Sequence, residues 1–325
     1  MSIHLKNPSF AAIGECMLEL SEAPDSGLPP KLQLGYGGDT LNTALYCARL
    51  GVEAHYVTAL GEDARSEWLI NEWRQEGLGV SHVARLPDRE PGLYWITIDD
   101  KGERSFSYWR SESAARELLS DAKRVRGLST DLTAFGMVYL SGITLSLFNA
   151  QGLERLWALL RSLRDASVCI AFDGNYRPRA WASRKQAQGV FDMALRHSDI
   201  ALPTFDDEQK LFGDKTPDHT LDRIHRCGVS EAVVKVGPEG CWISDNDTRA
   251  HIKTATVSRP VDTTAAGDSF NAGYLAGRLH KHTAAESARQ GNRLAQIVIA
   301  HRGAIIPRSL MSNLDTLPRA ASIQR

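Results

Sequence analysis

Apolar and polar positions follow two rhythms along this chain. "FAAIGECMLEL" (10–20) opens on an apolar run without strict alternation, as a strand buried on both faces does. "DTLNTALYCARLG" (39–51) changes to apolar residues at three- and four-residue spacing. That spacing predicts a helix, capped by Asp39 or Thr40 and stopped by Gly51. "AHYVTAL" (54–60) predicts the next strand and "SEWLINEWRQEG" (66–77) the next helix. Further strands are expected at 137–142, 168–174, 199–204 and 231–237, with helices between them such as 150–166. Unalternating strands separated by helices predict an α/β fold: a doubly wound, mostly parallel sheet with helices on both faces.

Two regions break this rhythm. "GLYWITIDDKGERSFSYWR" (92–110) alternates around "DDKG", as a hairpin does. Residues 16–22 and 31–38 are also strand-like, with a Pro/Gly-rich link between them. Together these pieces predict a small β-sheet lid within about 15–38 and 90–112 of a single domain spanning 1–325; the alternative is extra antiparallel strands on the main sheet. Exposed apolar alternation at Leu18, Leu20, Leu32, Leu34, Trp95 and Ile98 suggests a homo-oligomer, a dimer or higher.

Charge and cysteine content narrow the function classes. With a net charge of −1 and no basic cluster, nothing recruits nucleic acid or an anionic membrane. No apolar run reaches the length of about 18 residues that a membrane span needs, and the N-terminus has no leader pattern, so a cytoplasmic protein is expected. Its 5 cysteines are scattered and mostly in apolar runs, which suits reduced, buried thiols. No C-x-x-C or H-E-x-x-H is present, and His280 and His282 read as a solvated helix end rather than a metal pair. The P-loop, the G-x-G-x-x-G turn and the G-x-S-x-G elbow are all missing.

The chemistry therefore rests on "VDTTAAGDSF" (261–270), where Val261 ends a predicted strand and a helix starts at about 268. A helix start leaves backbone N–H groups unpaired and carries partial positive charge. Small residues such as Ala265, Ala266 and Gly267 let an anion approach those donors. Asp268 beside them is placed to accept a proton from an attacking hydroxyl, so base and anion hole together suit phosphoryl transfer. The plainer reading is that Asp268 only caps the helix.

"DTTAAGDSF" resembles the C-terminal signature of the ribokinase-like (PfkB) carbohydrate kinases, usually D-T-x-G-A-G-D, and "GYGGDTLNTALYCARLG" (35–51) resembles their N-terminal signature. D-x-N-x-R at Asp173, Asn175 and Arg177 and "KVGPEG" (235–240) match internal motifs, and the likeness covers nearly the whole chain. "GECMLELSE", "PGLYWI", "GERSFSYWR", "FDGNYRPRAW" and "RGAIIPR" are similar to the branch that phosphorylates 2-keto-3-deoxygluconate on its 6-hydroxyl.

The resemblance implies a ribokinase-like fold and assigns roles by position. Asp268 is the base, with Ala265, Ala266 and Gly267 as the anion hole. The substrate falls to Gly38, Asp39, Asn42, Tyr94, Tyr108, Arg110, Arg177 and Asp268. ATP falls to Asn175, Lys235, Gly237, Gly240, Asn292 and the 265–267 turn. Mg²⁺ falls to Asp207 or Glu208 through water, and in some relatives a monovalent cation such as K⁺ sits near Asp262 and Thr264. Arginine grips a carboxylate with two parallel hydrogen bonds, so Arg110 and Arg177 suit an acid sugar. Gly37 and Gly38 allow a backbone shape that larger residues resist. Ala265 departs from the family's glycine; its methyl is tolerable if its φ is negative. The alternatives are a kinase of the same fold for a neutral sugar such as fructose or ribose, and a catalytically idle sugar-acid-binding regulator.

Overall fold

The computed structural model describes residues 3, 5–22, 31–98, 104–245 and 248–315. Its strands in chain order are β1 (Ser9–Ile13), β2 (Met17–Glu22), β3 (Leu32–Gly37), β4 (Glu53–Leu60), β5 (Val83–Arg85), β6 (Gly92–Ile98) and β7 (Arg104–Trp109). They continue as β8 (Met137–Ser141), β9 (Cys169–Asp173), β10 (Ile200–Ala201), β11 (Glu231–Lys235), β12 (Cys241–Ser244) and β13 (Arg249–Ile252). A 9-stranded sheet runs β13-β12-β11-β10-β9-β8-β1-β4-β5. Every pairing from β11 across to β5 is parallel, and β12 and β13 add an antiparallel edge.

Burial explains the unalternating strands. All residues of β1, β8 and β9 are buried. Phe10 and Ala12 join one core cluster, with Leu41 and Leu45 of the helix Asp39–Arg49 and Phe270 and Leu275 of the helix Ala266–Leu279. Ala11 and Ile13 point the other way, into a cluster with Leu156 and Leu160 of the helix Ala150–Asp165. Each large apolar side chain so buried contributes about 1.5–3 kcal/mol. From β1 the chain moves outward to β4 and β5, then returns to the other side of β1 at β8. The carboxyl ends of β1 and β8 are thus the switch point where open α/β sheets bind ligands.

A separate 4-stranded sheet runs β3-β2-β6-β7, which decides for a lid rather than extra strands on the main sheet. Met17, Tyr94 and Ile96 form a small buried cluster on one face. On the other face Leu18, expected exposed, is instead buried in the main core and Tyr36 meets Trp68 edge-on at 5.5 Å, while Leu32, Leu34 and Trp109 are exposed. The expected "DDKG" turn and the Ile98 side chain lie outside the described residues.

Several local expectations are corrected. The helix at 39 is capped by Gly38 with no side-chain cap, so Asp39 and Thr40 are its first residues. The next helix starts at Ala64, because Asp63 accepts from the Arg65 and Ser66 amides. The strand at 199–204 shrinks to Ile200–Ala201, since Pro203 has no N–H to extend the ladder. Val261 ends no strand: 253–265 is irregular and Val261 is exposed. β12 and β13, of 4 residues each, are too short to show periodicity. Cys16, Cys47, Cys169 and Cys241 are buried and Cys227 half-buried, all unpaired. Among the described residues no helix is long and apolar enough to cross a membrane.

Candidate active site

The helix Ala266–Leu279 begins from Ala265, whose φ of 59° and ψ of 18° are left-handed. This overturns the expected negative φ. The conformation costs an L-residue about 1–2 kcal/mol. No side chain caps this helix, so Asp268 is not a capping residue. Its Oδ2 instead accepts from Asn42 Nδ2 at 2.8 Å, and Thr43 Oγ1 donates to its carbonyl at 3.2 Å. The two signature segments therefore meet through these contacts. Burial, with the Asp39 carboxylate beside it, pushes the Asp268 carboxyl up to about 7, although the Asn42 amide opposes the shift.

Asp39 is raised too, mainly by burial, while Ser141 at the end of β8 and Asn175 hold it down. Asn175 Nδ2 donates to Asp39 Oδ2 at 2.8 Å from a backbone at φ 40°. Beneath this pair lies a buried network. Lys235 Nζ reaches Asp173 Oδ1 at 3.2 Å and Asn271 Oδ1 at 2.9 Å. Asn271 Nδ2 donates to Asp173 Oδ2 at 2.9 Å and to the Tyr139 hydroxyl at 3.1 Å. A Cβ added at Gly267 would lie 3.7 Å from Lys235 Nζ, so the ammonium sits behind the turn. Asn271 and Tyr139 were missed in the sequence. Asn271 had a usable signal, three residues after Asp268 on one helix.

The lid supplies the other wall. A Cβ at Gly37 would lie 2.8 Å from the Tyr94 hydroxyl and 3.9 Å from Asn42 Oδ1, which brings the lid to the residue that holds Asp268. A Cβ at Gly38 would lie 2.1 Å from the Glu15 carbonyl oxygen. Gly38 has an extended φ of 176°, so close approach requires this glycine, not an unusual backbone. Tyr94 donates to Glu19, and its ring lies 6.2 Å from that of the exposed Tyr108. Arg110, 21% exposed, pairs with Glu15, whose side chain is 1% exposed. Neither acid was singled out: an acid inside an apolar run reads as a strand residue.

Arg177 finds its partners outside the lid sheet. It is 54% exposed and reaches Asp207 Oδ2 at 3.3 Å and the Tyr176 carbonyl at 3.0 Å. Glu208 is buried against Arg223, which also reaches Asp214 at 2.8 Å. Burial raises Asp207, and Arg177 opposes that. On the nucleotide side, Gly237 and Gly240 take φ of 58° and 96° around a tight turn joining β11 to β12. A Cβ at Gly240 would lie 2.2 Å from the Ile252 carbonyl oxygen, to which Asn292 Nδ2 donates at 3.3 Å. Asp262 accepts from Thr264 N, Thr264 Oγ1 and Gly303 N at 3.0, 2.7 and 2.7 Å. No group of three metal-ligating side chains occurs among the described residues, and the His280 and His282 rings are 6.3 Å apart.

The sequence pattern of the pfkB family carbohydrate kinases matches residues 7–310. The chain is 42% identical to the 2-dehydro-3-deoxygluconokinase of Escherichia coli (strain K12), over 93% of this chain and 98% of that one. It is 40% identical to the enzyme of the same name from Haemophilus influenzae, over 94% and 98%. Among solved structures, a PfkB protein from Polaromonas sp. JS666 superposes with a TM-score of 0.81 at 21% identity, over 95% of this chain and 99% of that one. A fructokinase with bound ATP from Xylella fastidiosa does so with 0.81 at 19%, over 95% and 98%. At those identities the structural likeness shows the fold.

Proposed function

The chain belongs to the pfkB family of carbohydrate kinases, and from that premise we propose that it transfers the γ-phosphoryl group of ATP to the 6-hydroxyl of 2-keto-3-deoxygluconate (the 2-dehydro and 2-keto names denote one acid). The observation that carries the chemistry is Asp268, held by Asn42 at a helix start with its carboxyl near 7. A base poised near working pH is the efficient one.

Asp268 takes the proton of the 6-hydroxyl as that oxygen bonds to the γ-phosphorus. The bond from phosphorus to the β–γ bridging oxygen breaks, and ADP leaves with the electron pair. The amides of 265, 267 and 268 stabilise the charge that develops on the phosphoryl oxygens, while the Ala266 amide donates to the Thr263 carbonyl at 3.2 Å and shapes the turn. Lys235, oriented by Asp173 and Asn271, adds positive charge behind the turn. Asp39 and Asn42 bind substrate hydroxyls, and Asn175 ties Asp39 to the nucleotide side. Tyr94, Tyr108 and Arg110 receive the carboxylate end with Arg177, and Gly237, Gly240 and Asn292 line the nucleotide's path.

The acids present would hold a Mg²⁺ through water, and the remaining ligands would come from the phosphates. Asp207 would serve its outer shell, since its pairing to the exposed Arg177 is the looser, at 3.3 Å, and Glu208 is buried against Arg223; a bound ion would supply charge neutralisation on the phosphates. A monovalent cation beside Asp262 and Thr264 is not required to hold that turn, which Asp262 already fixes through Thr264 and Gly303. The lid covers the pocket of a single kinase domain, and its exposed Leu32, Leu34 and Trp109 support a homo-oligomer. Five unpaired thiols favour a reducing, cytoplasmic setting.

An ATP-consumption assay over a panel of sugar acids and neutral sugars tests the reading. Turnover with the keto-deoxy acid at least about tenfold above fructose or ribose is expected, about 1.4 kcal/mol in the transition state. Preferred turnover of a neutral sugar overturns it.

A further inference from the structure

Four crossings of the chain join the lid sheet to the main sheet. They are 14–16 between β1 and β2, 37–38 after β3, 90–92 into β6, and 110–113 out of β7. Glu15 lies on the first, and its atoms meet the other three. Its carboxylate pairs with Arg110 on the fourth crossing. A Cβ on Gly92, on the third, would lie 3.0 Å from Glu15 Oε1 and 3.2 Å from the Arg110 Cβ. Gly38, on the second, packs its backbone against the Glu15 carbonyl. The last two crossings are also tied directly, since Ala114 N donates to the Glu90 carbonyl at 2.9 Å.

A buried carboxylate costs several kcal/mol unless its partners are well placed. An apolar residue would fill the same space at less cost, and Cys16 and Met17 beside it are of that kind. What an apolar residue cannot do is fix a guanidinium. Arginine has five N–H donors in a rigid fork, so an acid on one edge orients the fork and leaves donors for a second acceptor.

We propose that Glu15 is a positioning residue: it pins the hinge of the lid and presets the Arg110 fork for the carboxylate end of the substrate. The second half rests on the reading of Arg110 as the carboxylate grip. The first half does not, and the two are tested separately.

Hydrogen exchange on the free protein tests the hinge. Glu15→Gln keeps the shape and removes the charge. Exchange in β6, β7 and 110–113 should quicken about tenfold or more, while β8 and β9 stay unchanged. Unchanged lid exchange overturns the proposal, whatever the substrate is. Should that variant fail to fold, Arg110→Ala removes the partner on the fourth crossing and should move the same amides in the same direction; no movement there overturns the hinge equally.

A double-mutant cycle tests the fork. Glu15→Gln should raise KM for the keto-deoxy acid about fivefold or more, with KM for ATP and kcat within about twofold. In an Arg110→Ala background the same change should leave KM unaltered. An equal rise in both backgrounds overturns the positioning role. No turnover of any sugar acid by the unaltered protein would instead remove the functional reading and leave the exchange result to decide the hinge.

Discussion

The lid end and the phosphate end of the pocket are built on opposite electrostatic terms. At the lid, each acid faces a donor: the buried Glu15 has Arg110, and the half-buried Glu19 has Tyr94. At the phosphate end, Asp39 and Asp268 oppose each other and are held by neutral amides, Asn175 and Asn42. Two left-handed residues that are not glycine, Ala265 and Asn175, border the same spot. Paired charge makes the lid end part of the hinge as well as part of the site. Like charge and backbone strain make the phosphate end costly by itself, as expected where a proton or a cation is to be received.

The sharpest way to separate the two ends is Asp268→Asn. Turnover should fall about 10³-fold, the usual scale for a lost general base, with KM for the sugar acid little changed. Stability should move the other way. The folded Asp268 carboxyl titrates at about 7, above its ordinary value, so its contribution is fully present below about pH 4 and is lost as pH rises through 7. The Asn variant should therefore be more stable than the unaltered protein at pH 8, with no gain at pH 4. Thermal unfolding at the two pH values measures this, and equal stability at pH 8 would remove the stored cost from the phosphate end. In the unaltered protein kcat should fall about tenfold per pH unit below 7.

Next in size is the contrast between the two arginines. Arg110→Ala should raise KM for the acid substrate about 30- to 100-fold and also lower stability by about 3 kcal/mol, because Glu15 is left buried without its partner. Glu15→Gln in that background should restore part of the lost stability and leave KM where it is. Arg177 is half exposed, so Arg177→Ala should change stability by less than about 1 kcal/mol and act on KM only. Denaturant titration of both variants decides this, and similar losses would erase the distinction between the two sites.

How far this contrast was legible in the sequence depends on whether the signal was local. β1, β8 and β9 were readable because burial on both faces writes an unbroken apolar run. The place of Asp268 near a helix start was readable from the small residues around it, but the capping reading stayed open until the structure showed no side-chain cap there. The sign of φ at Ala265 was not, since the turn imposes it and the side chain does not announce it. Glu15 was hidden for a different reason: its partners lie on other crossings, and only the assembled hinge brings them to it. Asp207 and Glu208 are adjacent in the chain, and only the packing of the helix Phe205–Phe212 sends one to Arg177 and the other to Arg223.

The smallest expected effect falls on Ala265, where two opposing contributions nearly cancel. Ala265→Gly relieves about 1 kcal/mol or more of left-handed strain. It also gives the unfolded chain more freedom, which costs about 0.4–1 kcal/mol. Strain should win narrowly, so stability should rise by a few tenths to about 1 kcal/mol, read as a melting temperature higher by about 1–3 °C. The turn keeps its backbone, so kcat should stay within about twofold. A lower melting temperature would show that the methyl makes contacts worth more than the strain. A kcat lowered well beyond twofold at unchanged stability would carry the comparison further, because the rigidity of the alanine would then be part of how the phosphate end holds its donors in place.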